Sequence, residues 1–293
     1  MPHRATTGSV SRADALRKLL AEPELAVMPC CFDALSARLI EQAGFPVTFM
    51  SGFAVSAARL GLPDTGLISY GEIVDNGRNI CAATTIPVIG DGDTGYGNAV
   101  NVKRTVRGYA QAGFASVMIE DQVWPKRCGH TRGKAVVDRT EAVARIRAAC
   151  DARDEGADIL ILARTDARAV SGLDEALRRI EAFAEAGADI LFLEAPKSEE
   201  EMRAFCAATD RPALANMVEQ GETPILPPAV LQEIGYSLAA YPLTLLSAAM
   251  KAMQDALADF RAGRHPDKLL DWATLRDVVG FNAYYAEDER YRD

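Results

Sequence analysis

The sequence lacks an excess of basic residues. Its 293 residues include 32 Lys and Arg against 41 Asp and Glu, which gives a formal net charge of −9. No stretch forms a basic stripe with interleaved aromatic residues, the pattern that would neutralise nucleic-acid phosphates. We therefore expect no nucleic-acid partner, whereas a small anionic ligand is compatible with the composition where local cations or a metal ion receive it.

Long uninterrupted apolar runs are also missing. The N-terminal residues contain no hydrophobic segment of the kind found in secretory signals. The most apolar later stretch, 235–250, is interrupted by Pro242 and followed by Lys251, so it does not read as a membrane span. We expect a cytoplasmic protein with no membrane partner.

Histidine and cysteine are too few and too scattered for a structural zinc site. The chain has 3 His and 6 Cys, and among them Cys128 and His130 form the only close pair of different type, whereas zinc needs four such ligands. In a reducing compartment the cysteines are expected to stay as thiols. They lie at positions 30, 31, 81, 128, 150 and 206.

A short pattern recurs along the chain: a helical stretch, a glycine, and then an aliphatic run that ends in polar residues. Copies include EQAGFPVTFMSG, AQAGFASVMIEDQ and AEAGADILFLEA. The glycines fit the C-terminal caps of helices. The aliphatic runs are continuous, as in strands buried on both faces of a parallel sheet. The glycines are Gly44, Gly113, Gly156, Gly187 and Gly235.

Three further runs, at 25–30, 86–93 and 212–217, bring the number of predicted strands to eight. This number favours a (β/α)8 TIM-type barrel over an open doubly wound sheet, and no G-x-G-x-x-G motif follows the first strand. Beyond the eighth strand, two amphipathic helices are predicted, over 245–263 and 267–286. We predict a barrel domain over about 12–250 with a C-terminal helical arm over about 245–286, which either packs on its own barrel or is exchanged between subunits.

Acidic residues cluster at predicted strand ends, where barrel enzymes carry their chemistry. Asp91 and Asp93 stand two apart in GDGDTGYGN, so their carboxylates point the same way, and Glu120 ends the next strand. Such oxygen ligands suit Mg²⁺ or Mn²⁺. An EF-hand is excluded, because Val102 occupies the place of its last glutamate. A turn with capping carboxylates is the alternative.

Other strand ends offer groups that bind anions. Arg164 suits a carboxylate held through two hydrogen bonds, or an ion pair with Glu194 or Asp166. Ser51–Gly52 suits an anion bound by backbone N–H groups, or a simple turn. Asn216 fits an anion ligand or a loop amide equally well.

The segment PKRCGHTRGK places Cys128 in a basic loop that contains glycines. A thiol is a suitable general acid for the carbanion left by carbon–carbon cleavage, provided that the loop closes over it. Lys126, Arg127 and His130 would attract an anionic fragment and lower the pKa of the thiol. The alternative is a basic surface loop with an incidental cysteine.

Together these motifs resemble the isocitrate lyase and phosphoenolpyruvate mutase superfamily over roughly residues 12–285. The motifs are MSG with LGLPD, GDGDTGYGN, IEDQVWPKRCGH, ARTDA, LEAP and ANMVEQGETP. Within the superfamily the chain looks most like the group that contains 2,3-dimethylmalate lyase, petal death protein and 2-methylisocitrate lyase. The resemblance implies a barrel whose last helix is exchanged between subunits, a homotetramer, a small dicarboxylate substrate, and a requirement for Mg²⁺ or Mn²⁺.

The resemblance also implies roles for individual residues. Asp91 would ligate the metal, with Asp93 and Glu120 binding it directly or through water. Cys128 would be the catalytic proton donor, and Arg164 would be both catalytic and a ligand for the 2-oxo acid half. The residues implied to contact the substrate are Ser51, Gly52, Asp64, Lys126, Gly129, His130, Arg164, Glu194 and Asn216.

A few positions separate the branches of the superfamily. The K-R-C-G-H signature favours a lyase over phosphonate chemistry. Pro242 stands where oxaloacetate hydrolases are expected to have a serine, and Ser247 lies near where methylisocitrate lyases have an arginine. Without that cation, a pocket with Leu245 and Leu246 suits an alkyl group better than a third carboxylate. We therefore predict cleavage of an alkylmalate, such as 2,3-dimethylmalate, to pyruvate and a carboxylic acid.

Phe49 stands where many lyases of this group have a tyrosine that accepts the hydroxyl proton. Metal binding would itself lower the pKa of the hydroxyl, which leaves a bound water, Asp64 or another tyrosine as the acceptor. Alternatives to the alkylmalate lyase are a 2-methylisocitrate lyase, an oxaloacetate hydrolase or decarboxylase, and a phosphonate-type mutase of the same superfamily. A barrel that binds ligands without turnover is a further alternative.

Overall fold

The chain forms a closed barrel of parallel strands, as the computed structural model shows for residues 10–129 and 133–292. Each strand pairs with the next along the chain, and the last pairs with the first. The strands are β1 (Ala26–Cys31), β2 (Thr48–Met50), β3 (Val88–Asp91), β4 (Ser116–Glu120), β5 (Leu160–Thr165), β6 (Ile190–Leu193), β7 (Ala213–Asn216) and β8 (Leu238–Tyr241). The predicted (β/α)8 barrel is confirmed.

Helices connect the strands, and a π-helical turn lies at Ser56–Leu60. The helices of this part are α1 (Arg12–Ala21), α2 (Ala34–Gln42), α3 (Gly52–Val55), α4 (Tyr70–Ala83), α5 (Ala99–Ala112), α6 (Arg139–Asp154), α7 (Ala167–Ser171), α8 (Leu173–Glu185), α9 (Glu199–Ala207) and α10 (Pro228–Ile234). Gly113 ends α5 with a φ of 97°, which a side chain would disfavour. All five glycines of the recurring pattern have positive φ, as predicted for helix ends.

Apolar side chains fill the barrel, and α1 closes its N-terminal end. Leu16 of α1 is fully buried in the same cluster as Met28, Met118 and Leu162 of the strands. Arg12 fixes this helix by donating to the carbonyl oxygen of Cys81 at 2.6 Å and to other carbonyls nearby. The carboxyl ends of the strands, at the opposite end of the barrel, carry the predicted site residues.

Residues from Leu245 onward form a second compact unit. Its helices are α11, which begins at the junction (Thr244–Arg261), α12 (Trp272–Val279) and α13 (Phe281–Glu289). The sequence predicted one helix over 267–286. The structure instead ends α12 at Gly280, whose φ of 91° is left-handed and interrupts the helix. Large apolar side chains of this unit are exposed, including Leu257 (66%), Phe260 (61%) and Trp272 (69%).

Candidate active site

A cavity of about 180 Å³ at the carboxyl ends of the strands brings most of the predicted site residues together. Gly52, Asp93 and Glu120 do not line this cavity but each contacts a residue that does. His130 lies outside the described residues. The predicted residues that line the cavity are Ser51, Asp64, Asp91, Lys126, Cys128, Gly129, Arg164, Glu194 and Asn216.

Asp91, at the end of β3, is held by backbone groups on both of its carboxylate oxygens. Oδ2 accepts a hydrogen bond from the Gly52 N–H at 3.2 Å, and Oδ1 accepts one from the Asp93 N–H at 3.0 Å. A Cβ on Gly52 would lie 2.4 Å from Oδ2, so this approach requires glycine. Burial, reinforced by the charge of Asp93, raises the pKa of Asp91 to about 6. The ionised form of Asp91 is therefore destabilised by its surroundings, and a nearby cation would stabilise it.

Glu120, at the end of β4, is buried, and one of its oxygens has no partner in the part of the chain that the structure describes. Its Oε2 lies 3.4 Å from Nε of Arg164, whereas Oε1 has no hydrogen-bond partner among residues 10–129 and 133–292. Burial raises the pKa of Glu120 well above its ordinary value, although the charge of Arg164 opposes this. A buried carboxylate oxygen without a partner is costly, so this atom indicates a place for a ligand or water.

Lys126 lies between two carboxylates. Its Nζ is 2.5 Å from Oδ1 of Asp64 and 2.9 Å from Oδ1 of Asp93, and its side chain is only 4% exposed. Burial alone would lower the pKa of Lys126, but the charges of Asp93 and Asp64 raise it well above its ordinary value. Lys126, which was predicted to contact the substrate, thus forms ion pairs within the group of carboxylates Asp64, Asp91, Asp93 and Glu120, called here the acid cluster.

Arg164, at the end of β5, forms the ion pairs that the sequence offered as its alternative role. Its guanidinium donates two hydrogen bonds to Asp166, at 2.8 and 3.1 Å, and Nη1 lies 3.2 Å from Oε2 of Glu194. Asn216 in turn lies with its amide nitrogen 3.3 Å from the same Glu194 oxygen. These contacts fix the guanidinium, which lies over the Phe192 ring at 5.2 Å and lines the cavity.

The segment that carries Cys128 packs directly against this cation. A Cβ added to Gly129 would lie 2.5 Å from Nη2 of Arg164 and 2.5 Å from Cδ of Glu194. Gly129 is buried, and Cys128 is partly buried beside it. Glycine at 129 therefore allows the backbone next to the thiol to lie over Arg164 and Glu194.

Sequence reasoning missed several residues that contact this machinery. Tyr96 donates a hydrogen bond from its hydroxyl to Asp93 at 3.0 Å. Gln122 and Lys134 contact the backbone on either side of Cys128. All three residues lie within the motifs quoted above. Their residue types alone gave no reason to select them, because Gln122 is a neutral amide and Lys134 is one of several basic residues in its loop.

The acid cluster fits a hard divalent cation bound largely through water and substrate. In residues 10–129 and 133–292, no group of three or more His, Cys, Asp and Glu side chains is already arranged to hold a metal ion. Among these described residues, carboxylates nevertheless outnumber cations around the cavity, and Oε1 of Glu120 has no hydrogen-bond partner. Mg²⁺ usually keeps several waters and takes one or two protein carboxylates. Asp91 is the cavity-lining member of the triad Asp91, Asp93 and Glu120.

A larger groove of about 1050 Å³ lies at the N-terminal end of the barrel. It is lined by Arg12, Arg78, Arg107 and the ends of the neighbouring helices. Arg12 bonds backbone carbonyls there and Arg107 pairs with Glu155, so these charges stabilise the helix ends. Catalytic residues of barrel enzymes lie at the other end, and we place the site in the smaller cavity.

Two relatives are similar to this chain over almost its whole length. The 2,3-dimethylmalate lyase of Eubacterium barkeri is 42% identical over 96% of this chain and 99% of its own. The probable 2-methylisocitrate lyase 2 of Corynebacterium glutamicum is 44% identical over 95% of this chain and 92% of its own.

Solved structures agree in fold. The structure of oxaloacetate acetylhydrolase with the inhibitor 3,3-difluorooxalacetate superposes with a TM-score of 0.91 at 36% identity, covering 95% of this chain and 96% of that one. Phosphonopyruvate hydrolase in complex with oxalate and Mg²⁺ superposes with a TM-score of 0.86 at 30% identity, covering 96% and 99%. The fold is thus shared by proteins with different reactions.

The family model described as phosphoenolpyruvate phosphomutase matches residues 16–261. This range contains every residue predicted for the site, from Ser51 to Asn216. The resemblance drawn from the motifs is confirmed. The chain belongs to the phosphoenolpyruvate phosphomutase family, within the isocitrate lyase and phosphoenolpyruvate mutase superfamily, and is an enzyme of that superfamily.

Proposed function

We propose that the protein is a Mg²⁺-dependent carbon–carbon lyase that cleaves a 2-hydroxy dicarboxylate of the alkylmalate type. The observation that carries this proposal is the packing of the Cys128–Gly129 segment over Arg164 and Glu194, in the cavity that Asp91 also lines. A proton donor, a carboxylate-binding cation and an acid cluster thereby face one small volume.

Asp91 would hold the metal ion, with Asp93 and Glu120 contributing directly or through water. Bound there, Mg²⁺ or Mn²⁺ would polarise the hydroxyl and carboxylate oxygens of the substrate. Arg164, with Ser51 in the cavity wall, would orient the half that becomes the 2-oxo acid. The backbone N–H groups of Ser51 and Gly52 already donate to Cys31 and Asp91, and Ser51 serves as the N-cap of α3.

The second carboxylate would lie toward Gly129 and Asn216. Gly129 packs against Arg164, and the Asn216 amide lies within 3.4 Å of both Glu194 oxygens. Because Glu194 is an anion in contact with Arg164, we assign it to orienting the guanidinium and the amide rather than to touching a carboxylate. The resemblance implies that His130, which lies outside the described residues, contacts the substrate, and we assign it to binding the leaving carboxylate.

Cleavage breaks the bond between C2 and C3 of the substrate. The hydroxyl oxygen loses its proton and C2 becomes the carbonyl carbon of the 2-oxo acid, while the electron pair passes to C3 of the departing acid. The Sγ–H of Cys128 protonates C3 and leaves a thiolate, to which the hydroxyl proton returns before the next cycle. The described residues that line the cavity include no tyrosine. Asp64 or a bound water is therefore left as the first acceptor of the hydroxyl proton.

Apolar side chains support an alkylated substrate. Phe49, Phe53, Leu214, Val218 and Leu243 line the cavity. An alkyl group buried against them is favoured, whereas a carboxylate placed against the same five side chains would be desolvated at a cost of several kcal/mol, because none of the five is a cation. This supports 2,3-dimethylmalate over 2-methylisocitrate, and Pro242, which has no hydroxyl to donate, argues against an oxaloacetate hydrolase.

The proton-donor assignment is tested by replacing the thiol. In Cys128→Ser the weakly acidic hydroxyl cannot replace the thiol, so we expect kcat on 2,3-dimethylmalate to fall by at least about 100-fold. Binding of oxalate in the presence of Mg²⁺, measured by calorimetry, should change by less than about threefold. Cys206→Ser, another partly buried cysteine, is the matched control. Unchanged turnover in Cys128→Ser would exclude the proposed role.

We also propose that the protein works as a homotetramer in the cytoplasm, with the C-terminal helices exchanged between subunits. The exposed apolar side chains of the second unit support an oligomer, because such surface is usually covered in solution. No helix in the described parts of the chain is long and apolar enough to cross a membrane.

A further inference from the structure

The side chain of Gln122 forms two hydrogen bonds with the backbone just before Cys128. The Gln122 amide donates from Nε2 to the carbonyl oxygen of Arg127 at 2.8 Å, and its Oε1 accepts from the Arg127 N–H at 2.9 Å. Gln122 is completely buried. Its own carbonyl accepts from Nη1 of Arg145 at 2.9 Å, and its backbone pairs with Val136 in an antiparallel bridge. These contacts fix the backbone of Gln122, so its side chain is held in place.

The backbone just after Cys128 is gripped by Lys134. Its Nζ donates to the carbonyl oxygen of Gly129 and lies 3.3 Å from Oδ1 of Asp166, with the lysine side chain only 6% exposed. Asp166 also accepts both hydrogen bonds from Arg164, and its N–H donates to Asp121 at 2.9 Å. Lys134 thus connects the residue next to the thiol to the carboxylate that orients the cavity guanidinium.

These two contacts replace the hydrogen bonds that regular structure would supply. Residues 126–129 belong to no helix or strand, so their backbone groups need other partners. Neither Gln122 nor Lys134 lines the cavity, which separates them from residues that would touch substrate. Burying a lysine or an amide costs folding free energy unless it is hydrogen-bonded. Here each of the two side chains bonds a backbone carbonyl, one on either side of Cys128.

We propose that Gln122 and Lys134 are positioning residues that hold Cys128 from both sides and so set the placement of its thiol in the cavity. The inference deepens the lyase proposal and rests on it for the role of the thiol. The two side chains act through the backbone of Arg127 and Gly129. Loosening either contact should displace the thiol while leaving the metal and carboxylate ligands in place.

The kinetic test compares Gln122→Glu and Lys134→Met with matched controls. Gln122→Glu keeps the shape but replaces the donor to the Arg127 carbonyl, and Lys134→Met keeps the length but removes the ammonium. We expect kcat on 2,3-dimethylmalate to fall about 10- to 100-fold, since misplacement of a reacting group by about 1 Å has such an effect, with KM changed less than about threefold. Lys134→Arg should restore part of kcat.

The controls make the same chemical changes where no such contact exists. Gln111→Glu alters an exposed amide on α5, and Lys197→Met alters a lysine whose side chain is 52% exposed. Both should keep kcat within about twofold of the wild type. Thermal unfolding is followed for every variant, and if the Gln122→Glu chain does not fold, the Lys134→Met and Lys134→Arg pair decides.

A second readout needs no substrate. The rate of Cys128 alkylation by iodoacetamide is measured by peptide mass spectrometry on the Mg²⁺-loaded protein, with Cys206 as internal reference because burial raises its pKa to about 12. Release of the segment should raise the Cys128 rate several-fold in Gln122→Glu and Lys134→Met, with Lys134→Arg near the wild type.

The two proposals fail in different ways. Wild-type rates of alkylation and turnover in both variants would overturn the positioning role. A fall in kcat that Lys134→Arg does not relieve, with alkylation unchanged, would also overturn it. A wild-type protein that cleaves no alkylmalate but shows the expected alkylation pattern would overturn the lyase proposal and still support the placement of Cys128 by Gln122 and Lys134.

Discussion

At the scale of single residues, the site holds more carboxylates than cations in the part of the chain that the structure describes. Among the residues that the structure describes, the carboxylates around the cavity are Asp64, Asp91, Asp93, Glu120, Asp166 and Glu194, and the cations are Lys126, Arg127, Lys134 and Arg164. Burial raises the pKa of Asp91, Glu120 and Asp64. Such a cluster costs folding free energy in the absence of a metal ion, and it favours binding of a divalent cation.

This cost predicts a pH dependence for the metal-free protein. The pKa of Asp91 is about 6 in the folded chain and about 3.9 in an unfolded one, so the folded state binds this proton more tightly. Ionised Asp91 therefore opposes folding above pH 6, and the penalty is relieved as the pH falls from about 6 to 4.

Asp91→Asn removes the titration. In chelator, the unfolding free energy of the wild type should gain roughly 2 kcal/mol relative to Asp91→Asn between pH 7.5 and pH 4.5, within the limit set by a shift of this size. Urea unfolding at several pH values measures it. Asp75→Asn, on an exposed carboxylate that pairs with Arg59, is the control. A difference that does not vary with pH would show that Asp91 is not destabilised by its surroundings.

At the scale of elements, the site is made by strand ends together with one irregular segment. The strand ends could be predicted, because continuous aliphatic runs that stop at polar residues mark parallel strands. Ser51, Asp91, Arg164 and Asn216 were therefore identified at the correct end of the barrel from the sequence. The contacts of Gln122 and Lys134 were not, since they depend on the path of a segment that has no periodic pattern.

The close fit of that segment leads to a second prediction. In Gly129→Ala the new methyl group would overlap Arg164 and Glu194, so the segment must move outward by about 1 Å or more. We expect kcat to fall about 100-fold with little change in thermal stability, because the segment lies outside the barrel core.

Gly71→Ala serves as the matched control. Gly71 lies in the first turn of α4, where an added Cβ would meet only the Ser69 hydroxyl, at 4.0 Å. Alanine there should leave kcat unchanged and keep or slightly raise stability. Full activity of Gly129→Ala would contradict the packing of the segment over the guanidinium.

At the scale of the whole molecule, the barrel and its last helices differ in what the sequence reveals. The barrel follows from repeated local patterns, and the eight strands appear where they were predicted. The helices after the barrel are predicted less accurately from the sequence, because Gly280 divides one predicted helix into two. Their amphipathic pattern shows that an apolar face exists, but a pattern within one chain does not specify whether the same chain or another copy covers it.

The exposed face of the second unit predicts an oligomer that surface substitutions weaken. Sedimentation velocity of the wild type should give a species about four times the 31.5 kDa of one chain. The double variant Leu257→Lys and Trp272→Ser should shift it toward smaller species without unfolding the chain, because both side chains are exposed in the subunit. Lys251→Ala, on the same unit and 69% exposed, should leave it unchanged. A monomeric wild type would contradict the proposed assembly.

The reaction is the property on which every assigned role depends, and a panel of substrates tests it most directly. The purified protein is incubated with Mg²⁺ and, separately, 2,3-dimethylmalate, 2-methylisocitrate, isocitrate and oxaloacetate, and formation or loss of 2-oxo acid is followed with and without a chelator. We predict chelator-sensitive release of pyruvate from 2,3-dimethylmalate and little from either tricarboxylate. Strong release of pyruvate from 2-methylisocitrate, or loss of oxaloacetate as the sole reaction, would contradict the assignment to an alkylmalate lyase.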